Sequence, residues 1–139
     1  MPSFNQFYEG LADAQFDWVA DTIKIALLTS SWTPNRANDF YSELTNELAA
    51  GDGYTAGGVT LAGKALLSPD GSQRIGLDCN DPAWTFAATK AFRYAIIYKD
   101  TGVAGTSRLM WYVDLGSVSV SGTYTLVVNA AGIIRFGDV

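Results

Sequence analysis

The sequence predicts a mainly β protein: one domain over residues 1–139, an antiparallel β-sandwich of jelly-roll or immunoglobulin-like type, with one or two short helices in its N-terminal third. Three observations predict it. After Gly51 the chain alternates short runs of β-branched and aromatic residues with glycine-containing turns. Two runs, residues 22–28 and 92–98, are apolar almost throughout, as strands buried on both faces are. Aromatic residues make up 13% of the 139, a content that suits packed sheets.

The elements follow in chain order. Ser3 and Gln6 have capping-box spacing, and Phe4, Phe7, Tyr8 and Leu11 then recur at helical intervals, which predicts a helix over about 4–14. Residues 22–28 form the first strand, followed by the turn Trp32-Thr33-Pro34-Asn35. Asn38 or Asp39 can cap a second helix carrying Phe40, Leu44 and Leu48, stopped by Gly51. Beyond it, strands are expected at 59–67, 74–77, 83–87, 92–98, 109–115, 123–128 and 133–136. Ser68-Pro69-Asp70-Gly71 and Asn129-Ala130-Ala131-Gly132 read as turns, and residues 101–107 as a plain connection of small residues. The two apolar strands should be central in their sheets, because they leave few positions fit for water.

Residues 58–65, GVTLAGKA, come within one letter of a phosphate-binding loop: Gly58, Gly63 and Lys64 are in register, and Ala65 stands where Ser or Thr would hold magnesium. A nucleotide loop also needs a strand before it and a helix after it. Here the preceding segment is rich in Gly and Asp, and Leu66 and Leu67 run into a turn. Residues 51–56, GDGYTA, imitate a dinucleotide fingerprint and fail for want of a following helix. Both segments therefore read as glycine turns around a strand.

The chain has no histidine, which excludes a Ser-His-Asp triad, a Cys-His pair and every His-containing metal site. Asp78-Cys79-Asn80-Asp81 is the densest acidic cluster, yet it lacks the glycine and distal Glu of a calcium loop and reads as a turn before Pro82. Cys79 is the one cysteine, with no neighbouring cation to activate it, and is expected to be small and buried. A carboxylate pair for glycoside hydrolysis would need two acids on one cleft, whereas Glu9, Glu43 and Glu47 lie on the expected helices. No catalytic residue, cofactor or metal is therefore expected. The net charge is −5 and the nine Lys and Arg are scattered, which argues against nucleic acid as a partner. No apolar run reaches the length of a membrane span, and MPSFNQFYEG lacks the basic and apolar regions of a signal peptide, so synthesis in a reducing cytoplasm is expected. Trp32 and Trp84 can stack on sugars or fill the core, and the core is the commoner place for tryptophan in β-proteins.

Four blocks, DTIKIALLTSSWTPN, NDFYSELTNE, GYTAGGVTLAGK and RYAIIYKDTG, followed by GSVSVSGTYTLVVNAAGII, give the chain its wording. In this order they resemble a family of small tailed-bacteriophage virion proteins similar to trimeric capsid cement (decoration) proteins. The resemblance extends over about residues 7–136. It implies an all-β structural protein of the virion, on the capsid surface, with the major capsid protein and copies of itself as partners. A trimer is the implied number, since threefold positions of a shell let all copies bind at once. It carries no catalytic residues, and it makes Lys64 an ordinary strand residue. Phe4, Phe7 and Tyr8 on the first helix, together with Trp18, are the candidate partner or subunit contacts if that helix swaps onto a neighbour. Otherwise the helix packs on its own core. The alternative function is a tail- or fibre-associated module that binds a host surface glycan through exposed Trp or Tyr.

Overall fold

The computed structural model describes residues 3–68 and 74–137. Its elements are α1 (Asn5–Ala12), β1 (Ile23–Leu28), β2 (Val59–Thr60), β3 (Ala65–Leu67), β4 (Arg74–Asp78), β5 (Ala83–Lys99), β6 (Leu109–Thr125) and β7 (Ile134–Gly137). Two antiparallel sheets result, ordered β2-β1-β5-β6 and β3-β4-β7, so the fold is mainly β and sandwich-like as expected.

The alternation of side chains across a strand explains why β1 and β5 are inner strands. Ile23, Ile25 and Leu27 of β1 join Ala95 and Ile97 of β5 in a core that also takes Leu77 and Ile134 from the second sheet. Ala26 and Leu28, with Tyr94, Ile96 and Tyr98, face the other way into a second cluster with Phe4, Trp32 and Leu109. Trp32 sits edge-on to Tyr94 at 5.0 Å and to Tyr112 at 5.6 Å, the tilted geometry aromatic rings prefer. Both faces of the larger sheet are therefore covered along β1 and residues 94–98 of β5. Each fully buried Ile or Leu contributes about 2 kcal/mol to folding.

Several boundaries differ from the sequence-based expectation. The helix starts at Asn5, with Phe4 as an N-cap that offers no side-chain bond. Ser3 is instead extended against Trp111, held by Arg36 through Nε to its carbonyl at 2.6 Å and Nη2 to its Oγ at 3.3 Å. Gln6 donates to the Asp39 carbonyl and accepts from Arg108 Nη1 at 2.6 Å. Both members of the expected capping box are engaged in tertiary contacts.

The second helix does not form; only a 3₁₀ turn, Tyr41–Glu43, occupies its place. Glu43 caps that turn by accepting from the Asp39 and Phe40 N–H groups, both at 2.7 Å. Asn46 then adopts φ +62, which ends any helix, and Glu47 bridges back to Leu28 at the end of β1. Leu44 packs on the second cluster and Leu48 in the first, so the helical spacing never shared one face. The expected strand over 59–67 is two strands in different sheets, with Gly63 at φ +62 where the chain passes from one to the other. Conversely, 83–87 and 92–98 are one strand, β5, and 109–115 and the first half of 123–128 are one strand, β6, joined through β-bulges. The turn read at 68–71 lies, beyond Ser68, outside the described residues.

Candidate interaction surface

The larger sheet ends at β6, and the cover over this edge strand is partial. From Leu109 to Trp111 the edge is occupied: Phe4 N–H donates to Met110 O at 3.1 Å, Leu109 N–H donates to Asp39 O at 3.0 Å, and Ser3 bridges Trp111. Beyond Trp111, no other strand among the described residues pairs with β6 on its outer side. Where the cover stops, an open depression of about 680 Å³ lies between Pro34, residues 111–114 of β6, and Ile133 and Arg135.

One charged pair stands at this margin. Arg93 on β5 reaches across to Asp114 on β6, donating through Nε to Oδ1 at 3.0 Å and through Nη2 to Oδ2 at 2.8 Å, a bidentate fork. Gly116 N–H adds a bond to Oδ1 at 2.9 Å. The Arg93 hydrogen bond holds the Asp114 carboxyl down at about 2. Asp114 is therefore ionised at neutral pH with its oxygens already engaged, a poor proton donor or acceptor for a substrate.

The other concentration of polar chemistry lies under the segment that replaces the second helix. The Glu47 carboxylate accepts from Tyr54 Oη at 2.7 Å, from Gly57 N–H at 2.7 Å and from Tyr41 Oη. Tyr54 Oη in turn accepts the Leu27 N–H at 3.0 Å, and Tyr98 Oη donates to Gly57 O at 2.7 Å. Tyr41 stacks on Tyr98 at 4.7 Å. Burial is the largest cause pushing the Tyr41, Tyr54 and Tyr98 hydroxyls above their ordinary range, so all three stay protonated. The cluster clasps residues 41–57 onto β1 and β5; its donors and acceptors are used within it.

Of the four candidate contact residues, Phe4 and Phe7 are fully buried, and Trp18 is 5% exposed with its indole N–H on Asp78 O at 2.8 Å. Within the chain these three pack in its own core, the arrangement expected where the helix does not swap onto a neighbour. Tyr8 alone is exposed, at 39%. Cys79 is buried, as expected, and burial raises its thiol to about 11. The neighbouring acidic stretch works as a staple: Asn80 N–H donates to Ala62 O at 2.8 Å, and Asp81 Oδ1 accepts from Val128 N–H at 2.7 Å. Among the described residues, no group of three or more His, Cys, Asp and Glu side chains converges on a metal-sized space. Glu43 and Glu47 serve separate partners.

At residues 58–65, Ala65 opens a strand rather than a helix, and Lys64 Nζ donates to the Asp21 carbonyl. Millimolar Mg-ATP should therefore leave the melting temperature of the protein unchanged. A saturable rise that disappears in Lys64→Ala would show that these residues do hold phosphate.

Sequence reasoning missed Glu47 and the Arg93–Asp114 fork, because in each the partners meet only once strands and loops are folded together. The open edge of β6 did leave a signal: residues 115–134 contain no charged residue. No helix among the described residues is long and apolar enough to cross a membrane. Protein-family models, curated proteins and solved structures were all compared with the chain, and none matches.

Proposed function

We propose that this chain is a non-enzymatic structural protein of a phage virion, a capsid decoration protein that attaches in several copies to the outside of the head and stabilises it. The observation that carries the reading is the uncovered, uncharged outer side of β6 beyond Asp114, on a small domain whose two clusters are filled with aromatic and aliphatic side chains. Such a surface suits contact between proteins, where apolar area and backbone edges matter more than isolated charges. The resemblance of the blocks described above points the same way and names the major capsid protein as partner.

The glycan-binding alternative needs exposed rings. All four tryptophans are buried, between 3% and 7% exposed, and Tyr8 is the one exposed aromatic side chain among the described residues. No aromatic platform favours that reading.

Mixing the purified protein with undecorated heads and sedimenting them is the test. The protein is expected to co-sediment at saturating stoichiometry. The attachment should change little between low salt and high salt, because apolar and backbone contacts are not screened over the ~10 Å that governs charged surfaces. A protein that ignores heads and binds host cells would overturn the proposal in favour of a tail-associated module.

A further inference from the structure

The open edge of β6 has an unusual sequence. Residues 116–122 read Gly-Ser-Val-Ser-Val-Ser-Gly, the same in both directions about Ser119. Gly116 and Gly122 both have positive φ, +72 and +82, and lie at two of the irregularities in the β5–β6 register. Between them Val118, Ser119 and Val120 pair regularly with Phe92, Ala91 and Lys90. The outer side of this stretch has no strand against it among the described residues. Ser119 is exposed, while Val118 and Val120 are half-buried, packing on the first core with part of their surface left uncovered.

An exposed strand edge is a template for another strand, and proteins usually blunt it with lysine, proline or an inward-pointing charge. Residues 115–134 contain none of these. We infer that this edge is the self-association surface of the protein: two copies pair antiparallel along 116–122, about a twofold axis through Ser119. The larger sheet then continues from one copy into the other.

Three features select a second copy as the occupant. Antiparallel pairing about Ser119 sets Ser117 opposite Ser121, Val118 opposite Val120 and Gly116 opposite Gly122, so the two bends coincide and the strands stay in contact. The chain carries a net charge of −5, so its copies repel one another in general, and the charge-free edge is where that repulsion is weakest. Among the described residues the other sheet edges belong to β2, β3 and β7, which are two, three and four residues long, too short to pair with this run. Only β6 matches β6. A contact between identical edges is isologous and closes at two copies.

The paired stretch spans about 24 Å and adds about six backbone hydrogen bonds. That is a small interface, so association in the micromolar range is expected rather than a permanent dimer. Sedimentation velocity on the full chain, from about 1 to about 200 µM, should show the mass rising from one chain to two. S119K and S119E each place like charges opposite one another across the axis and should each weaken dimerisation at least about tenfold, with unchanged melting temperature at low concentration. Mixed in equal amounts, the two variants should recover the dimer, because the ammonium of one copy then faces the carboxylate of the other across the axis. S119C, in a protein whose only other cysteine is buried, should cross-link to a dimer on mild oxidation. A single-chain mass throughout, a three-chain mass, or a dimer indifferent to both charged variants would overturn the inference. So would failure of the mixture to recover the dimer. Because these measurements involve no heads, their failure is distinct from failure of the head-attachment proposal.

Discussion

Gly58→Ala is expected to leave little folded protein, with a loss above about 4 kcal/mol out of the roughly 5–15 kcal/mol that holds a domain together. Gly58 has φ +80, a region L-residues rarely adopt, and a Cβ built on it would lie 1.8 Å from Ile25 O and 2.6 Å from Ile25 C. Those atoms are the backbone of β1, an inner strand that pairs on its other side with β5, so they cannot retreat without breaking a ladder. Gly102→Ala is the control. Its φ is +82, but nothing lies within 4 Å of the added Cβ, so only the conformational cost of about 1 kcal/mol applies. Denaturant unfolding of the two variants separates steric approach from backbone preference. Equal losses would mean that β1 and the residue-58 turn have more room than their distances show. The first glycine of the near-phosphate loop is thus explained by packing: it lets the chain cross a strand at contact distance.

The apolar strands were legible because their side chains are apolar on both faces, and only an inner position of a sheet covered on both sides accommodates that. The positions of β1 and β5 follow from the residues themselves. The lengths of β5 and β6 did not, because the small residues at 88–89 and 116–117 interrupt the expected strands. In the fold they are bulges, where one strand gains residues against its neighbour and the ladder resumes in shifted register. Local composition cannot distinguish a turn that reverses the chain from a bulge that continues it, since both favour small residues and positive φ.

The second helix failed for a different reason. The spacing of Phe40, Leu44 and Leu48 was real, but pairing with β1 prevailed over it: Thr29 N–H donates to Asn46 O at 2.8 Å and Leu48 N–H to Leu27 O at 2.9 Å. Tertiary hydrogen bonds of this kind override a weak helical preference. Phe4, Phe7 and Trp18, the candidate contacts, are buried within the chain and meet the same kind of limit. Aromatic residues on a short amphipathic helix show that one face is buried, not whose core buries it. The threefold number came from shell symmetry through the resemblance, whereas the β6 edge argues for two copies.

Glu47→Ala should cost about 3 kcal/mol and lower the melting temperature by about 10 °C, a large effect for a side chain that touches no ligand. Its carboxylate receives three donors, and two of them, Tyr54 Oη and Gly57 N–H, belong to buried residues. Removing the acceptor leaves those donors without a partner away from water, which costs more than the bond itself contributes. Tyr54→Phe in the Glu47→Ala background should cost less than in the native protein, because the lost partner is then already gone. The same cluster sets the alkaline limit. Tyr41, Tyr54 and Tyr98 have folded-state pKa values raised above the ordinary 10.0, chiefly by burial, so above that pH the unfolded chain releases protons that the folded one keeps. Their contribution is fully present below pH 10 and is lost as pH rises beyond it. Cys79, raised from 9.0 to about 11, acts in the same direction from about pH 9. Melting temperature should therefore fall steeply above pH 9 to 10 in both native protein and Glu47→Ala, because burial outweighs the carboxylate as the cause. A variant within about 0.5 kcal/mol of the native protein would show that water replaces Glu47 at no cost, and that the clasp does not hold residues 41–57 in place.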